Sequence, residues 1–129
     1  MPLEDKTPNT VLCDITGTLM RDDRPYWPVV KLIHAMHKAG HDIVFLTGLR
    51  NRHRATVTAQ LKGIDLAPSE RIFLFMRPEN YTHAPLFFKE EMLRQHIDPQ
   101  TILLALDDTP TILRMYAKYG VPTLEVRRS

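Results

Sequence analysis

Polar side chains that could do chemistry stand directly after three apolar runs of this sequence. These residues are Asp14, Thr47, and the pair Asp107 and Asp108. Short apolar runs of this kind are typical of parallel strands that are covered on both faces, and ligands bind at the carboxyl edge of open α/β sheets. Carboxylates at such an edge can act as nucleophiles or as ligands of a hard cation. The sequence therefore predicts a ligand site where these strands end.

The turn after Asp14 is the most specific part of this pattern. The segment reads Asp14-Ile15-Thr16-Gly17-Thr18-Leu19. Gly17 can adopt backbone angles that other residues avoid, so a tight turn is expected directly after the strand. This turn would present the Asp14 carboxylate at the end of a central strand.

Predicted strands and helices alternate along the chain, which indicates a parallel sheet with helices on both faces. We expect about five strands, over residues 10–14, 43–46, 72–75, 102–106 and 123–126. We expect helices over residues 29–38, 50–62, 86–96 and 110–119. Loops are expected over residues 20–27 and 77–85.

The bulk composition is that of an ordinary packed protein. The 129 residues fit one domain, with residues 1–9 as a loose lead-in. A formal charge of +2 is too small to indicate nucleic acid by itself. Cys13 is the only cysteine, so an intramolecular disulfide is excluded. No signal peptide and no apolar run long enough to cross a membrane is found, so a cytoplasmic location is expected.

The spacing Asp-x-x-Gly-Thr-Leu that begins at Asp14 resembles motif I of the haloacid dehalogenase (HAD) superfamily of phosphotransferases. The resemblance implies a three-layer α/β/α, Rossmann-like fold and an aspartyl-phosphate formed on Asp14. It also implies that the Thr47 hydroxyl binds a phosphoryl oxygen, and that Lys89 offsets charge between nucleophile and phosphate.

The same resemblance implies a bound Mg²⁺ ion. Its ligands would be the carboxylates of Asp14, Asp107 and Asp108 and the backbone carbonyl of Thr16. Mg²⁺ prefers oxygen ligands and takes one or two carboxylates together with phosphate and water.

A closer resemblance covers residues 10–126 and is most specific from Lys89 onwards. It is to the phosphatase domain of the bacteriophage T4 polynucleotide kinase-phosphatase group, whose members remove 3′-phosphates from nucleic-acid ends. The sequence has no Gly-x-x-x-x-Gly-Lys loop. We therefore expect the phosphatase part alone, which leaves a place for a separate kinase or repair partner.

Thr16 departs from the superfamily, which usually has a second aspartate there. That aspartate protonates the leaving oxygen and then activates water, help worth about 10²–10⁴-fold in rate. Threonine is too weak an acid to replace it, although it can form hydrogen bonds. Three outcomes stay open: a slow phosphatase that depends on good leaving groups or another acid, a phosphotransferase or switch, and a binding module without turnover. The first is favoured, because the other site residues are present.

The substrate is expected to reach an open site. The segments from Asp14 to Thr47 and from Thr47 to Lys89 are filled by predicted elements, which leaves no room for a substantial cap domain. An open site favours a large substrate such as a polynucleotide end, with a small phosphomonoester as the alternative. The candidates for substrate binding are Thr18, Gly48, Arg50 and Arg77.

Further side chains near the predicted site have two interpretations each. Arg52, His53 and Arg54 could contact phosphates, or they could be a solvated helix face. Tyr26 and Trp27 could stack on a base, although packing as loop anchors is favoured.

Overall fold

Five parallel strands form the central sheet. The computed structural model describes residues 7–127, and within them the chain forms seven strands: β1 (Thr10–Cys13), β2 (Met20–Arg21), β3 (Arg24–Pro25), β4 (Asp42–Arg50), β5 (Ile72–Arg77), β6 (Ile102–Asp107) and β7 (Thr123–Glu125). The strand order of the sheet is β5-β4-β1-β6-β7, and every neighbouring pair is parallel. β1 is thus the central strand, and the residue that follows it lies between the ends of β4 and β6.

Helices connect the strands. They are α1 (Trp27–Lys38), α2 (Arg54–Gly63), α3 (Pro85–Gln95) and α4 (Pro110–Lys118), with 3-10 helices at Asn51–His53 and Pro99–Thr101. Proline stands in the first turn of three of the four α-helices, where its missing N–H costs no hydrogen bond. None of the helices in residues 7–127 is long and apolar enough to cross a membrane.

Two hydrophobic cores lie on opposite faces of the sheet. Val11 and Cys13 of β1 belong to the core that includes Val30 of α1 and Leu61 of α2. Leu12, between them in sequence, belongs to the core under α3 and α4. This alternation follows from the two-residue period of a strand. The predicted three-layer α/β/α fold with five strands is confirmed.

Residues 20–27, predicted as a loop, form a small hairpin and the start of α1 instead. β2 and β3 pair antiparallel around Asp22 and Asp23, whose φ angles are +50° and +61°. Aspartate tolerates this left-handed region better than most residues, so a two-residue hairpin turn forms here. The structure shows no element of the size of a cap between β1 and α1.

The strand predicted over residues 43–46 is longer than expected. β4 continues to Arg50, which pairs with Arg77 of β5 after a shift in register. The predicted helix over residues 50–62 therefore starts late, because α2 begins only at Arg54. Of the predicted lead-in, residues 1–6 lie outside the described residues.

Gly48 lets the start of α3 approach the end of β4. A Cβ atom on Gly48 would lie 2.6 Å from Cβ and 2.9 Å from Cγ of Pro85, the first residue of α3. Real Cβ contacts are longer than this, so only glycine fits without a shift of the helix. The close approach fixes the position of α3, which carries Lys89.

Replacing Gly48 with alanine is expected to destabilise the protein by about 1–3 kcal/mol, as overpacking of a tight contact does. The matched control is Gly63→Ala at the exposed end of α2, where a Cβ meets nothing within 4 Å. That change removes a helix glycine and should be neutral or stabilising by up to about 1 kcal/mol. Urea unfolding of both variants measures the difference, and equal stability would show that the Pro85 contact is not tight.

Candidate active site

The carboxylate of Asp14 is held at the carboxyl end of β1. The Asp14 amide donates a hydrogen bond to the Leu106 carbonyl at 3.0 Å, which continues the pairing with β6. Gly17 then turns the chain with φ +86°, and its amide donates to the Met20 carbonyl. The predicted turn is therefore present, and Asp14 is only 7% exposed.

A buried lysine joins two of the carboxylates. Nζ of Lys89 lies 2.9 Å from Oδ1 of Asp14 and 2.8 Å from Oδ2 of Asp107. Lys89 is only 2% exposed although its charge normally keeps it at the surface. The hydroxyl of Thr18 donates to the other Asp14 oxygen, Oδ2, at 3.0 Å. These bonds fix the orientation of the Asp14 carboxylate.

Burial and charge act in opposite directions on these groups. Burial raises the pKa of Asp14 to about 7, with Lys89 opposing the rise and Asp107 adding to it. Burial alone would lower the pKa of Lys89, but the negative groups around it, Asp14 first, hold that pKa above its ordinary value. Lys89 therefore stays protonated. The ionisation of Asp14 depends on the charged groups next to it, which are Lys89 and Asp107.

Three carboxylates gather closely enough to hold a cation. One oxygen from each of Asp14, Asp107 and Asp108 lies within 4.8 Å of the others. The second oxygen of Asp107, Oδ1, accepts a hydrogen bond from the Thr109 amide at 3.0 Å, which fixes that side chain. A donor set of carboxylate oxygens fits a hard cation such as Mg²⁺.

The predicted site residues meet at one cavity of about 310 Å³. From the predicted set, its walls contain Asp14, Thr16, Thr47, Gly48, Arg77, Lys89 and Asp108. Asp107, fully buried, is joined to it through Lys89. Oγ1 of Thr47 accepts a hydrogen bond from the Leu49 amide at 3.1 Å, which leaves the hydroxyl proton for an acceptor in the cavity.

Arg77 lines this cavity, and one of its buried donors has no partner in the described part of the chain. Its Nη1 donates to the His83 carbonyl at 3.1 Å, while its buried Nε has no hydrogen-bond partner among the described residues. Burial, followed by the nearby charges of Arg50 and Arg52, lowers the pKa of Arg77 from its ordinary high value. A buried N–H without a partner is costly.

Two of the predicted substrate-binding residues lie elsewhere. Thr18 is fully buried beneath Asp14 and does not line the cavity. Arg50 is also absent from the cavity walls, and its Nη1 donates to the carbonyls of Glu79 and Tyr81, each at 2.9 Å. Arg50 thus holds the loop that leads into α3. Arg50 lies there because β4 extends as far as Arg50, which pairs with Arg77 of β5. No sequence pattern indicated this extension.

A second cavity, which sequence reasoning missed, adjoins the first. It has a volume of about 360 Å³ and lies between the β2–β3 hairpin and α2. Thr16 and Leu49 line both cavities, and His53 lines the second one only. Finding it from sequence would have required prediction of the hairpin, for which residues 20–27 gave no signal beyond two adjacent aspartates.

The titration of Asp14 should make the metal-free protein less stable as pH rises from about 4 to about 7. The folded state keeps the Asp14 proton up to about pH 7, whereas the unfolded state releases it near the ordinary value of 3.8. The unfolded state therefore binds fewer protons in this window, and stability falls with pH by at most about 1.4 kcal/mol per pH unit.

Urea unfolding in the presence of a chelator measures this slope in the wild type and in Asp14→Asn. The variant has no titrating group at this position. The free energy of unfolding of the wild type should therefore fall relative to that of the variant between about pH 4 and pH 7, and the difference should stay constant above pH 7. Parallel curves for the two proteins would contradict the raised pKa of Asp14.

Comparisons with known proteins identify a family for this chain. A family model described as the polynucleotide kinase PNKP phosphatase domain matches residues 8–129. No curated protein matches the chain.

Solved structures share the fold. A chain from the Pnkp1/Rnl/Hen1 RNA repair complex has a TM-score of 0.85 and 22% identity, over 98% of this chain and 44% of that one. A chain from a second Pnkp1/Rnl/Hen1 complex has a TM-score of 0.82 and 22% identity, over 97% and 48%. An uncharacterized protein from Corynebacterium glutamicum ATCC 13032 Kitasato has a TM-score of 0.61 and 16% identity, over 95% and 87%. This chain therefore spans less than half of the two complex chains.

Proposed function

The chain belongs to the polynucleotide kinase PNKP phosphatase domain family and is a phosphatase domain of the HAD superfamily; from this premise we propose that it removes 3′-phosphates from nucleic-acid ends. One observation carries the proposal. Asp14 is held by Lys89 at an open cavity, beside the acidic pair Asp107 and Asp108. This arrangement provides a nucleophile, a fixed positive charge and a cation site around one phosphoryl group.

The proposed reaction begins with attack by the Asp14 carboxylate on phosphorus, which forms an aspartyl-phosphate while the ester P–O bond breaks and the nucleic-acid end leaves with a 3′-hydroxyl. Lys89 and Thr18 hold the two carboxylate oxygens, so the nucleophile is oriented before substrate arrives. The ammonium of Lys89 offsets negative charge between nucleophile and phosphate, and the Thr47 hydroxyl donates to a phosphoryl oxygen. Hydrolysis of the aspartyl-phosphate then returns Asp14.

A bound Mg²⁺ ion would be held by the carboxylates of Asp14, Asp107 and Asp108, with the Thr16 carbonyl as a further ligand. When bound, the ion neutralises charge on the phosphoryl group. The carboxylate oxygens that meet within 4.8 Å support this assignment.

A nucleic-acid end is proposed as the substrate because the site is open and basic at its rim. The described chain places no cap over the cavity, and the guanidinium-bearing Arg77 is one of its wall residues. Guanidinium groups suit phosphates. Structurally similar chains occur in an RNA repair complex, which supports a separate repair protein or kinase as a partner of this chain.

The exposed Thr16 favours a second candidate, a weakened module that binds phosphorylated ligands. Its side chain replaces the usual acid, while the rest of the site is complete. Turnover separates the two candidates, since both predict binding of phosphate.

Asp14→Asn should abolish phosphate release, because an amide oxygen is a poor nucleophile. Release is measured with Mg²⁺ from 4-nitrophenyl phosphate, a mononucleotide, and oligonucleotides phosphorylated at the 3′ or the 5′ end. The wild type should favour the 3′-phosphorylated oligonucleotide and lose activity in a chelator. The exposed Asp65→Asn, which makes the same chemical change away from the cavity, should keep wild-type activity.

Different results would lead to different conclusions. Preference for the mononucleotide would replace the nucleic-acid substrate with a small phosphomonoester. A wild type that binds the oligonucleotides but releases no phosphate with any divalent cation would establish the binding module instead.

Arg77→Gln should raise KM for the 3′-phosphorylated oligonucleotide by about tenfold or more, the effect expected when a hydrogen bond to a charged group is lost. The change in kcat should be smaller, because the lost contact is to bound substrate rather than to the reacting bond. Arg114→Gln, at an exposed position of α4, is the charge-matched control. Steady-state kinetics that show equal effects of both variants would remove Arg77 from the substrate site.

A further inference from the structure

Thr16 lies at the junction of two cavities. In the segment from Val11 to Met20 it is the only exposed residue. It lines the cavity that contains Asp14 and also the neighbouring cavity between the hairpin and α2. A phosphoryl group on Asp14 would therefore have a second space of about 360 Å³ beside it. Because attacking and leaving oxygens lie roughly in line, the leaving group needs a space of its own beyond the phosphoryl group.

Three side chains of this second cavity can transfer protons, and they are Asp22, Asp23 and His53. Asp22 and Asp23 form the tip of the hairpin, and Oδ1 of Asp23 accepts a hydrogen bond from Gln60 of α2 at 3.3 Å. His53 stands on the facing wall, in the 3-10 helix that follows β4. Imidazole is the side chain that both gives and takes protons near neutral pH.

We propose that the second cavity receives the leaving group and that His53 is the proton donor and acceptor that Thr16 cannot be. This inference rests on the proposed phosphatase function. In the first cavity, Lys89 is already bound to Asp14 and Asp107, the acidic groups form the candidate cation site, and the guanidinium of Arg77 is too weak an acid to give up its proton. Proton transfer is thus left to the second cavity.

The proton balance of the reaction is simple. A bond forms from Asp14 to phosphorus, the ester P–O bond breaks, and its electron pair goes to the ester oxygen. That oxygen takes a proton from the imidazolium of His53 and leaves as an alcohol. The neutral imidazole then accepts a proton from water as the water oxygen bonds to phosphorus and the bond to Asp14 breaks. No other reactant is needed.

Dependence on the leaving group distinguishes this role from a structural one. His53→Gln should slow the first turnover of a 3′-phosphorylated oligonucleotide by about 10²-fold, because an alkoxide leaves poorly without a proton. The release of nitrophenolate from 4-nitrophenyl phosphate in the first turnover should change little, since this ion leaves unprotonated. His53 is exposed, so the variant should fold. His96→Gln, an exposed histidine that lines neither cavity, is the control.

The variant Thr16→Asp provides a second test of the role of His53. It restores the usual acid, so His53→Gln should cost little in that background while it costs much in the wild type. The proposal would be overturned if His53→Gln slowed the first turnover of both substrates equally, or slowed neither. It would also be overturned if Asp22→Asn, and not His53→Gln, slowed the oligonucleotide reaction more than the 4-nitrophenyl phosphate reaction. A wild type that transfers no phosphoryl group from either substrate would overturn the phosphatase function, and this inference with it. If the wild type is active and His53→Gln has the same first-turnover rates, only this inference is overturned and the phosphatase function stands.

Discussion

The buried ammonium of Lys89 is the interaction on which the site depends. It forms ion pairs of 2.9 and 2.8 Å with Asp14 and Asp107, which end two neighbouring strands of the sheet. Removing one partner of a buried ion pair leaves an uncompensated charge, which is strongly destabilising. The lysine must therefore arrive at the right place, and the contact of Pro85 with Gly48 sets the start of the helix that carries it. Gly48 of β4 thus helps to set the position of the Lys89 charge.

Charge balance at this site leads directly to its chemistry. Three carboxylates face one ammonium, so two negative charges are not compensated within the group. Burial makes that excess costly, and burial is also the first cause of the raised pKa of Asp14, with Lys89 opposing the rise and Asp107 adding to it. A divalent cation bound by these carboxylates would supply positive charge to the group. Its binding would favour the ionised form of Asp14, because a carboxylate must be deprotonated to act as a metal ligand.

The sequence was sufficient to predict the fold and the place of a site residue where the local pattern and the overall topology agree. Asp14, Thr47 and Asp107 follow buried apolar runs, and a parallel sheet brings the ends of such runs together, so their meeting at one edge of the sheet follows from topology. The place of Lys89 beside Asp14 was expected only from the family resemblance, because no local pattern distinguishes a buried lysine from a solvated one. Its contact with Asp107 was not predicted. The helix predicted from Arg50 begins later, because the pairing of Arg50 with Arg77, a tertiary effect, outweighed the local sequence.

The side chain of Thr16 has a different status from the rest of the site. Asp14, Lys89 and Asp107 are buried and bonded to one another, so a change in any of them disturbs the fold and the chemistry together. Thr16 is exposed between two cavities and takes no part in that ion-pair group. An acid can be absent from this position without a change to Asp14, Lys89 or the candidate cation site. The consequence is therefore confined to proton transfer, a task that any group able to reach the leaving oxygen can perform.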